Sequence, residues 1–297
     1  MIIVRLRGGL GNQLFQYAAG RALAAHHSVE LKLDSYTYTK HPYRKFELGK
    51  FNMDTREATR DEVHRFTGGN PIVRYLNKRN NYFRCPRVFA QPHYHFYPDF
   101  FALPKDAYLS GYWQSEKYFS GIAGVIREQL TPVTPLDSRN ADLQKKMQSQ
   151  HSVAVHVRRG DYSSSAYSSF FGVLPVTYYT EAIAAVKQRV GNPVFYFFSD
   201  DIAWCKKNFG TVGAEFIAHN TGADAYKDML LMSTCKNNII ANSTFSWWGA
   251  WLSTNPDKVV IAPKQWFKSN FLDKKEPVYA SRIYDTRDLI PETWTRL

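Results

Sequence analysis

The chain predicts an α/β protein of two domains, each a parallel sheet wrapped by crossover helices, facing each other with the ligand between them. Three observations predict it. At 297 residues the chain is long enough for two halves of about 150 each. It opens on strand, glycine loop, helix and strand, the start of a nucleotide-binding half-sheet. From residue 152 onward, short β-branched and aromatic runs alternate with 10–15-residue helical stretches, the rhythm of parallel strands joined by crossovers. Hydrophobic residues make up 44% of the chain and aromatics 15%, ample for two cores.

In the first half, residues 2–6 read as a short buried strand and Gly8-Gly9-Leu10-Gly11-Asn12 as a tight loop. Apolar spacing at Leu14, Phe15, Ala18, Ala22 and Leu23 predicts a helix from Gln13 to Ala25, and residues 29–33 alternate as a second strand. The glycines are not a dinucleotide fingerprint, because Leu14 stands where the third glycine is needed, and no Walker loop occurs. A helix is expected over 56–66, then a long irregular segment rich in Tyr, His, Pro and Arg. A strand at 108–113 and a helix from Ser115 or Glu116 to Leu130 follow. Thr131-Pro132-Val133-Thr134-Pro135 breaks the pattern, which places a domain boundary at 135: 1–135, then 136–297, with the last helix free to pack back on the first domain. The second half reads as strands at 152–158, 193–199, 214–218, 237–241 and 258–262. Helices fall near 176–190, 201–209, 223–235 and 246–254.

Formal net charge is +12, unevenly spread: residues 1–150 carry 22 Lys+Arg against 13 Asp+Glu, and 151–297 carry 16 against 13. The densest stretch, 56–87, holds Arg56, Arg60, Arg65, Arg74, Lys78, Arg79, Arg84 and Arg87, interleaved with Phe66, Tyr75, Tyr82 and Phe83. Such a patch suits a nucleic acid, an anionic membrane surface or plain solvation, and composition does not choose among them. It lacks any stacking-sheet or finger motif of a nucleic-acid module. Cys85, Cys205 and Cys235 are odd in number and lack metal-ligand spacing, which fits a reducing compartment. The amino terminus is too soon charged for a signal peptide, and no apolar run reaches a membrane span. A cytoplasmic protein, peripheral to a membrane at most, is expected.

The chemistry concentrates at strand ends. Val153-Ala154-Val155-His156-Val157 is a buried strand running into Arg158, Arg159, Gly160 and Asp161. In open α/β sheets ligands bind at the carboxyl ends of strands, and guanidiniums that cannot lose their charge suit a phosphate. An ordinary Arg–Asp ion pair is the competing reading. The next strand ends in Ser199-Asp200-Asp201, of which Asp201 reads as a helix cap. Asp224 or Asp228 can offer two acceptors to the N1–H and N2–H of guanine, although either also reads as a surface helix charge. Asn242-Ser243-Thr244-Phe245-Ser246 lies between a buried strand and a helix, where hydroxyls and first-turn amides form an anion site. Trp247, Trp248 and Trp251 read as core. No Asp-x-Asp pair occurs, so the expectation is no metal and no cofactor, with Arg158, hydroxyls and amides neutralising any diphosphate.

Three blocks in order carry a resemblance. Gly8 to Tyr17, His156 to Tyr162 and Asn242 to Trp251, with Gly111-Tyr112-Trp113-Gln114-Ser115-Glu116-Lys117-Tyr118-Phe119, resemble the bacterial α-1,2-fucosyltransferases of glycosyltransferase family 11. The resemblance implies a GT-B fold, two Rossmann-like domains across a cleft, with an acceptor-side first domain and a GDP-fucose-binding second one. It implies inverting, metal-independent transfer from GDP-β-L-fucose to the 2-hydroxyl of a terminal β-galactoside, carried on a lipid-linked oligosaccharide. Arg158 would grip the β-phosphate, His156 lie near the ribose or base, Asp228 read guanine, and Ser243 with Thr244 hold the diphosphate. Gly9, Gly11, Asn12, Asp200, Asn242 and Phe245 complete the implied donor set. The core α-1,6 relatives place a proposed glutamate base where this chain has Ala166, so Asp161 and then Glu116 become the candidates. The alternatives carried forward are a GT-B transferase using another sugar nucleotide and a basic nucleic-acid-binding protein centred on 56–87.

Overall fold

The computed structural model describes residues 1–40, 44–68, 85–160, 172–210, 213–267 and 285–297. The chain divides into two compact units, Met1–Thr134 with Lys275–Pro291, and Pro135–Lys274 with Glu292–Leu297. Every strand pairing within their two sheets is parallel.

The first unit contains β1 (Ile2–Arg5), α1 (Leu10–His26), β2 (Leu31–Asp34), α2 (Arg60–Thr67), β3 (Val88–Ala90), β4 (Ala107–Ser110) and α3 (Ala123–Gln129). Its sheet runs β2-β1-β4-β3. Ile2, Ile3 and Val4 are fully buried, and α1 is buried on nearly every side, as an apolar helix in a core must be. Gly20 sets how closely α1 approaches β1: a Cβ there would lie 2.2 Å from Val4 Cγ2 and 3.0 Å from Leu31 Cδ1. Gly20→Ala therefore overpacks the layer and should lower unfolding stability by about 1–3 kcal/mol despite alanine's better helix propensity. A urea midpoint at or above wild type would contradict this close approach.

Two expectations in this unit need correction. The helix expected over 56–66 starts at Arg60, because Thr59 caps it in a capping box: Thr59 Oγ1 accepts from Glu62 N at 3.2 Å, and Glu62 Oε2 accepts from Thr59 N at 2.8 Å. The single helix expected from 115 to 130 is instead two 3-10 turns, Glu116–Tyr118 and Ser120–Ile122, before α3. The reason is aromatic burial. Adjacent Tyr118 and Phe119 are both fully buried against different neighbours, Tyr118 on Phe100 and Trp113 and Phe119 on Phe15 of α1, and the break in the helix at Phe119 lets both rings reach them. Phe119 leaves helical geometry at φ −139°. Strand β3 escaped notice inside a stretch without periodicity. The irregular segment expected after α2 falls largely on 69–84, outside the described residues.

The second unit contains α4 (Ser138–Ser149), β5 (Ser152–Val157), α5 (Val176–Arg189), β6 (Val194–Ser199), α6 (Ile202–Phe209), β7 (Ala214–Ile217), α7 (Tyr226–Thr234), β8 (Asn237–Ile239), α8 (Thr244–Leu252), β9 (Val260–Ala262) and β10 (Thr295–Arg296). The sheet order is β10-β9-β8-β5-β6-β7. Its core joins β5, β6, β8 and β9 side chains to Tyr178, Tyr179, Ile183 and Val186 of α5. Helix α4 and strand β10 had no counterpart in the sequence reading: α4 buries only Asn140 and Met147, too little for an apolar stripe. Past α8 the described residues hold no helix. Instead, residues 285–291 are tied into the first unit by Asp288, which accepts from Phe96 N (3.0 Å) and from Lys117 (2.6 Å).

Strand order places the sites. From β5 the chain builds outward through β6 and β7, then returns to the other side of β5 with β8, so the topological switch lies between β5 and β8. In the first sheet β1 has β2 on one side and β4 on the other, and the switch lies between β1 and β4. These carboxyl-end crevices are where ligands bind in open α/β sheets.

Candidate functional site

At the end of β5, His156 is buried and its ring centroid lies 5.8 Å from that of Phe245 in α8, across the switch point. Its Nδ1 is buried with no hydrogen-bond partner among the described residues. Burial, and secondarily the Arg158 charge, push its pKa down to about 3, so the imidazole is neutral at physiological pH. The unfolded chain carries an ordinary histidine near 6.5. The unfolded state therefore binds the extra proton, and stability from this site is full above that pH and lost as pH falls toward 3. Between pH 7 and 5 the loss should be about 2 kcal/mol. His156→Gln should flatten that part of the stability–pH curve; an unchanged slope in urea titrations would contradict a buried neutral imidazole.

The two arginines after β5 separate into different tasks. Arg158 Nη1 lies 3.2 Å from Asp200 Oδ2, while Asp200 Oδ1 accepts from the Arg159 backbone N at 2.9 Å. Asp200, at the end of β6, thus holds both the Arg158 side chain and the backbone beside it. A Cβ on Gly160 would sit 2.9 Å from Asp200 Oδ2, so glycine lets the chain pass over this carboxylate. Arg159 turns to α6: its Nε lies 3.3 Å from Asp201 Oδ2 and its guanidinium stacks 4.1 Å over Trp204. Asp201 is the expected cap of α6, accepting from Trp204 N at 3.1 Å. Asp161 lies outside the described residues.

On the other side of the switch, Ser243 is the N-cap of α8 in extended geometry, but its side chain makes no capping bond. The hydroxyl is therefore not spent on the commonest task of serine in this position. Thr244 opens the helix, and amides of a first turn have no acceptor inside their own helix. Hydroxyls and amides here suit an anion. Asn242 is a brace: its buried Nδ2 donates to Gly172 O and Trp266 O, each at 3.2 Å. Trp247, Trp248 and Trp251 are core, as expected.

Of the two candidate base readers, Asp224 is exposed and ion-paired with Lys227 at 3.0 Å. Asp228 is half-buried instead, near the amino end of α7 and so at the sheet's carboxyl edge. Burial raises its pKa to about 7, partly offset by a hydrogen bond from Asn220. Asn220, with Asn140 behind it, was not anticipated; the only signal was a polar residue three positions past a strand end.

The first unit gathers a cluster at its own switch. Gly8 takes φ +82°, which favours glycine, and Gly9 caps α1, with Gly11 in the first turn. Gln114 Nε2 donates to Asn12 Oδ1 at 2.7 Å, and Tyr94 donates to Gln114 Oε1 at 2.5 Å. Gln16 accepts from Arg7 N (2.9 Å) and donates to Gly111 O (3.3 Å), lacing the loop after β1 to the segment after β4. Gly9, Gly11, Asn12 and half-buried Glu116 thus belong to this unit, and His156, Arg158, Asp200, Asp228, Asn242, Ser243, Thr244 and Phe245 to the other. The tyrosine and glutamines of this network were missed because each reads singly as a loop polar residue. Among the described residues there is no group of three or more His, Cys, Asp or Glu able to hold a metal ion, and no helix long and apolar enough to cross a membrane.

Two Rossmann-like α/β units with polar clusters at their switch points define a GT-B fold. Solved structures agree: fucosyltransferase NodZ from Bradyrhizobium matches with TM-score 0.51 at 14% identity over 84% of this chain and 90% of that one. A mutant of Arabidopsis thaliana FUT1 in complex with GDP matches with TM-score 0.50 at 13% identity over 89% and 71%. The chain belongs to glycosyl transferase family 11, whose family model matches residues 90–284. It is 36% identical to an α-1,2-colitosyltransferase of Escherichia coli over 100% of this chain and 99% of that protein. It is also 36% identical to the O-antigen biosynthesis glycosyltransferase WbnK of Escherichia coli, over 89% and 94%. Galactoside α-(1,2)-fucosyltransferase 2 of Mus musculus is 32% identical over 43% of this chain and 38% of its own.

Proposed function

We propose that this glycosyltransferase moves L-fucose from GDP-β-L-fucose to the 2-hydroxyl of a terminal β-galactoside, inverting the anomeric centre and needing no metal. One observation carries the reading: a guanidinium held by a neighbouring strand's carboxylate, Arg158 on Asp200, at the β5/β8 switch beside the uncapped start of α8. A sugar diphosphate needs fixed positive charge where its leaving oxygen develops negative charge. Arg158 supplies that charge, and the Ser243 and Thr244 hydroxyls and the α8 amides add neutral hydrogen-bond donors beside it. The acceptor oxygen attacks the anomeric carbon opposite GDP, the C–O bond to the β-phosphate breaks, and the hydroxyl proton passes to a carboxylate, Asp161 or Glu116. Electrons of the broken bond leave with GDP.

A second reading of the donor, GDP-colitose, is favoured by the full-length similarity to a colitosyltransferase. Colitose lacks the 3-hydroxyl of fucose. A site built to bind that hydroxyl rejects the deoxy sugar by about 10⁴-fold, whereas a site indifferent to it discriminates far less. The deciding experiment incubates GDP-fucose and GDP-colitose separately with a panel of β-galactosides, with and without a chelator, and reads the linkage by NMR. Fucose in α-1,2 linkage, unaffected by chelation, is expected. Transfer from GDP-colitose alone, or loss of turnover with chelator, would defeat the proposal.

The acceptor is proposed to be lipid-linked, with the basic stretch docking on anionic membrane and nucleic acid playing no part. Within the described part of that stretch, Arg56 is bound to Asp54 and Glu30, and Arg87 to Asp106. Docking is proposed to rest on the other arginines of the stretch, and a variant with four of them changed to glutamine should lose vesicle co-sedimentation; unchanged binding would defeat the docking proposal.

A further inference from the structure

A side-chain relay through two buried asparagines runs behind Asp228. Asp137, the N-cap of α4, accepts from Asn140 Nδ2 at 2.7 Å and from Asn140 backbone N at 3.1 Å. Asn140 Nδ2 also donates to Asn220 Oδ1 at 2.9 Å, and Asn220 Nδ2 donates back to Asn140 Oδ1 at 2.9 Å. The other hydrogen of Asn220 Nδ2 goes to Asp228 Oδ1 at 2.7 Å. His219 Nε2 lies 3.0 Å from Asn140 Oδ1. Asn140 and Asn220 are 1% and 8% exposed, so neither amide can exchange these partners for water.

The relay has one polarity. An ionised carboxylate only accepts, and the Asn140 and Lys227 contacts hold Asp137 well below the ordinary carboxylate range. Asn140 must therefore turn its NH2 toward Asp137 and its oxygen toward Asn220. Asn220 must answer with its own NH2, which leaves it a donor toward Asp228. Two paired amides thus fix one carboxylate oxygen and with it the plane of the Asp228 side chain. A carboxylate locked in this way presents a set edge to a ligand carrying two adjacent N–H donors.

We propose that Asn220, backed by Asn140, is a positioning residue that aims Asp228 at the N1–H and N2–H of the guanine base, so that guanine binding draws a proton off Asp228. This rests on the reading of Asp228 as the base reader. The charged groups around the site are Asp137 at the cap of α4 and Arg139 in its first turn, His219 after β7, Asp224 just before α7 and Lys227 in the first turn of α7; α8 carries none. Lys227 is taken by Asp137 and Asp224, and among the described residues Asp228 makes no ion pair. Only a neutral amide and the ligand therefore favour its ionised form, consistent with its raised pKa.

The test measures binding of GDP and ADP by calorimetry from pH 6 to 8. ADP titrates the same phosphates, so the ratio of the two dissociation constants isolates the base. In the wild type this ratio should rise about tenfold across the range as Asp228 ionises. Asn220→Ala should weaken GDP by about tenfold, raise KM for donor more than it lowers kcat, and move the rise to higher pH. Asn140→Ala should show the same signature at smaller size, and Asn220→Ser, keeping a donor, should recover part of the loss. A purely structural role would lower the melting temperature and leave the ratio and its pH midpoint where they were, which would overturn the proposal. So would a flat ratio in the wild type, an observation that needs no variant to fold. If Asp228→Asn abolishes guanine preference while Asn220→Ala leaves it intact, the relay alone fails. If Asp228→Asn changes nothing, the base-reading assignment itself fails.

Discussion

Arg158→Ala should lower sugar transfer by about 10²-fold or more, with the loss mainly in kcat. The guanidinium is permanently charged, and its Asp200 partner holds it before substrate arrives, so little reorganisation is needed when the leaving group departs. Removing it leaves developing phosphate charge to hydroxyls and amides, which carry no net charge. Arg158→Lys should recover only part of the rate, because an ammonium cannot reproduce the fork that meets Asp200 on one side and phosphate on the other. A linked effect follows. Arg158 helps depress the His156 pKa, so in the alanine variant the acid loss of stability should level off at a higher pH than in the wild type, below pH 5, with the slope between pH 7 and 5 almost unchanged. Steady-state kinetics with saturating donor checks the first result and urea titration the second. Near-normal turnover would remove Arg158 from the leaving-group role.

What the sequence disclosed follows from periodicity. β5 and β6 are short runs of large or β-branched apolar residues, and their ends were placed within a residue or two because a sharp polar boundary closes each. The same boundaries exposed Arg158 and Asp200 as neighbours in kind, though not that one holds the other, since a contact between adjacent strand ends has no signature along the chain. α4 stayed hidden because its worth lies in a polar side chain: Asn140 is buried as thoroughly as a leucine, yet on any hydropathy pattern it reads as surface. The Tyr94–Gln114–Asn12 chain was invisible for a similar reason, its members being 20 and 102 residues apart. The expected helix at 115–130 failed where local spacing met a stronger demand, the burial of Trp113, Tyr118 and Phe119 together. Asp224 and Asp228 read alike along the chain, and only the structure shows that Asp224 is exposed and paired with Lys227 while Asp228 is half-buried against Asn220.

Asp228→Asn should be the variant that changes what the enzyme binds rather than how fast it turns over. A carboxylate gives guanine two acceptors; an asparagine gives one acceptor and sets an NH2 against either N1–H or N2–H. The clash leaves donors facing donors at a partly buried position, where burial has already raised the Asp228 pKa to about 7. An unmatched buried polar pair costs about 1–3 kcal/mol, so GDP affinity should fall by about 10- to 100-fold while ADP affinity, which never used two acceptors, stays close to wild type. The guanine preference should collapse accordingly. Asparagine also cannot titrate, so the dependence of the GDP-to-ADP ratio on pH should vanish with it. Competition binding with GDP, IDP and ADP reads all three effects at once: IDP lacks the 2-amino group, and should be penalised in the wild type and less so in the variant. Equal losses for all three nucleotides would locate the effect in the diphosphate or in folding, and Asp228 would lose its place as the group that recognises the base.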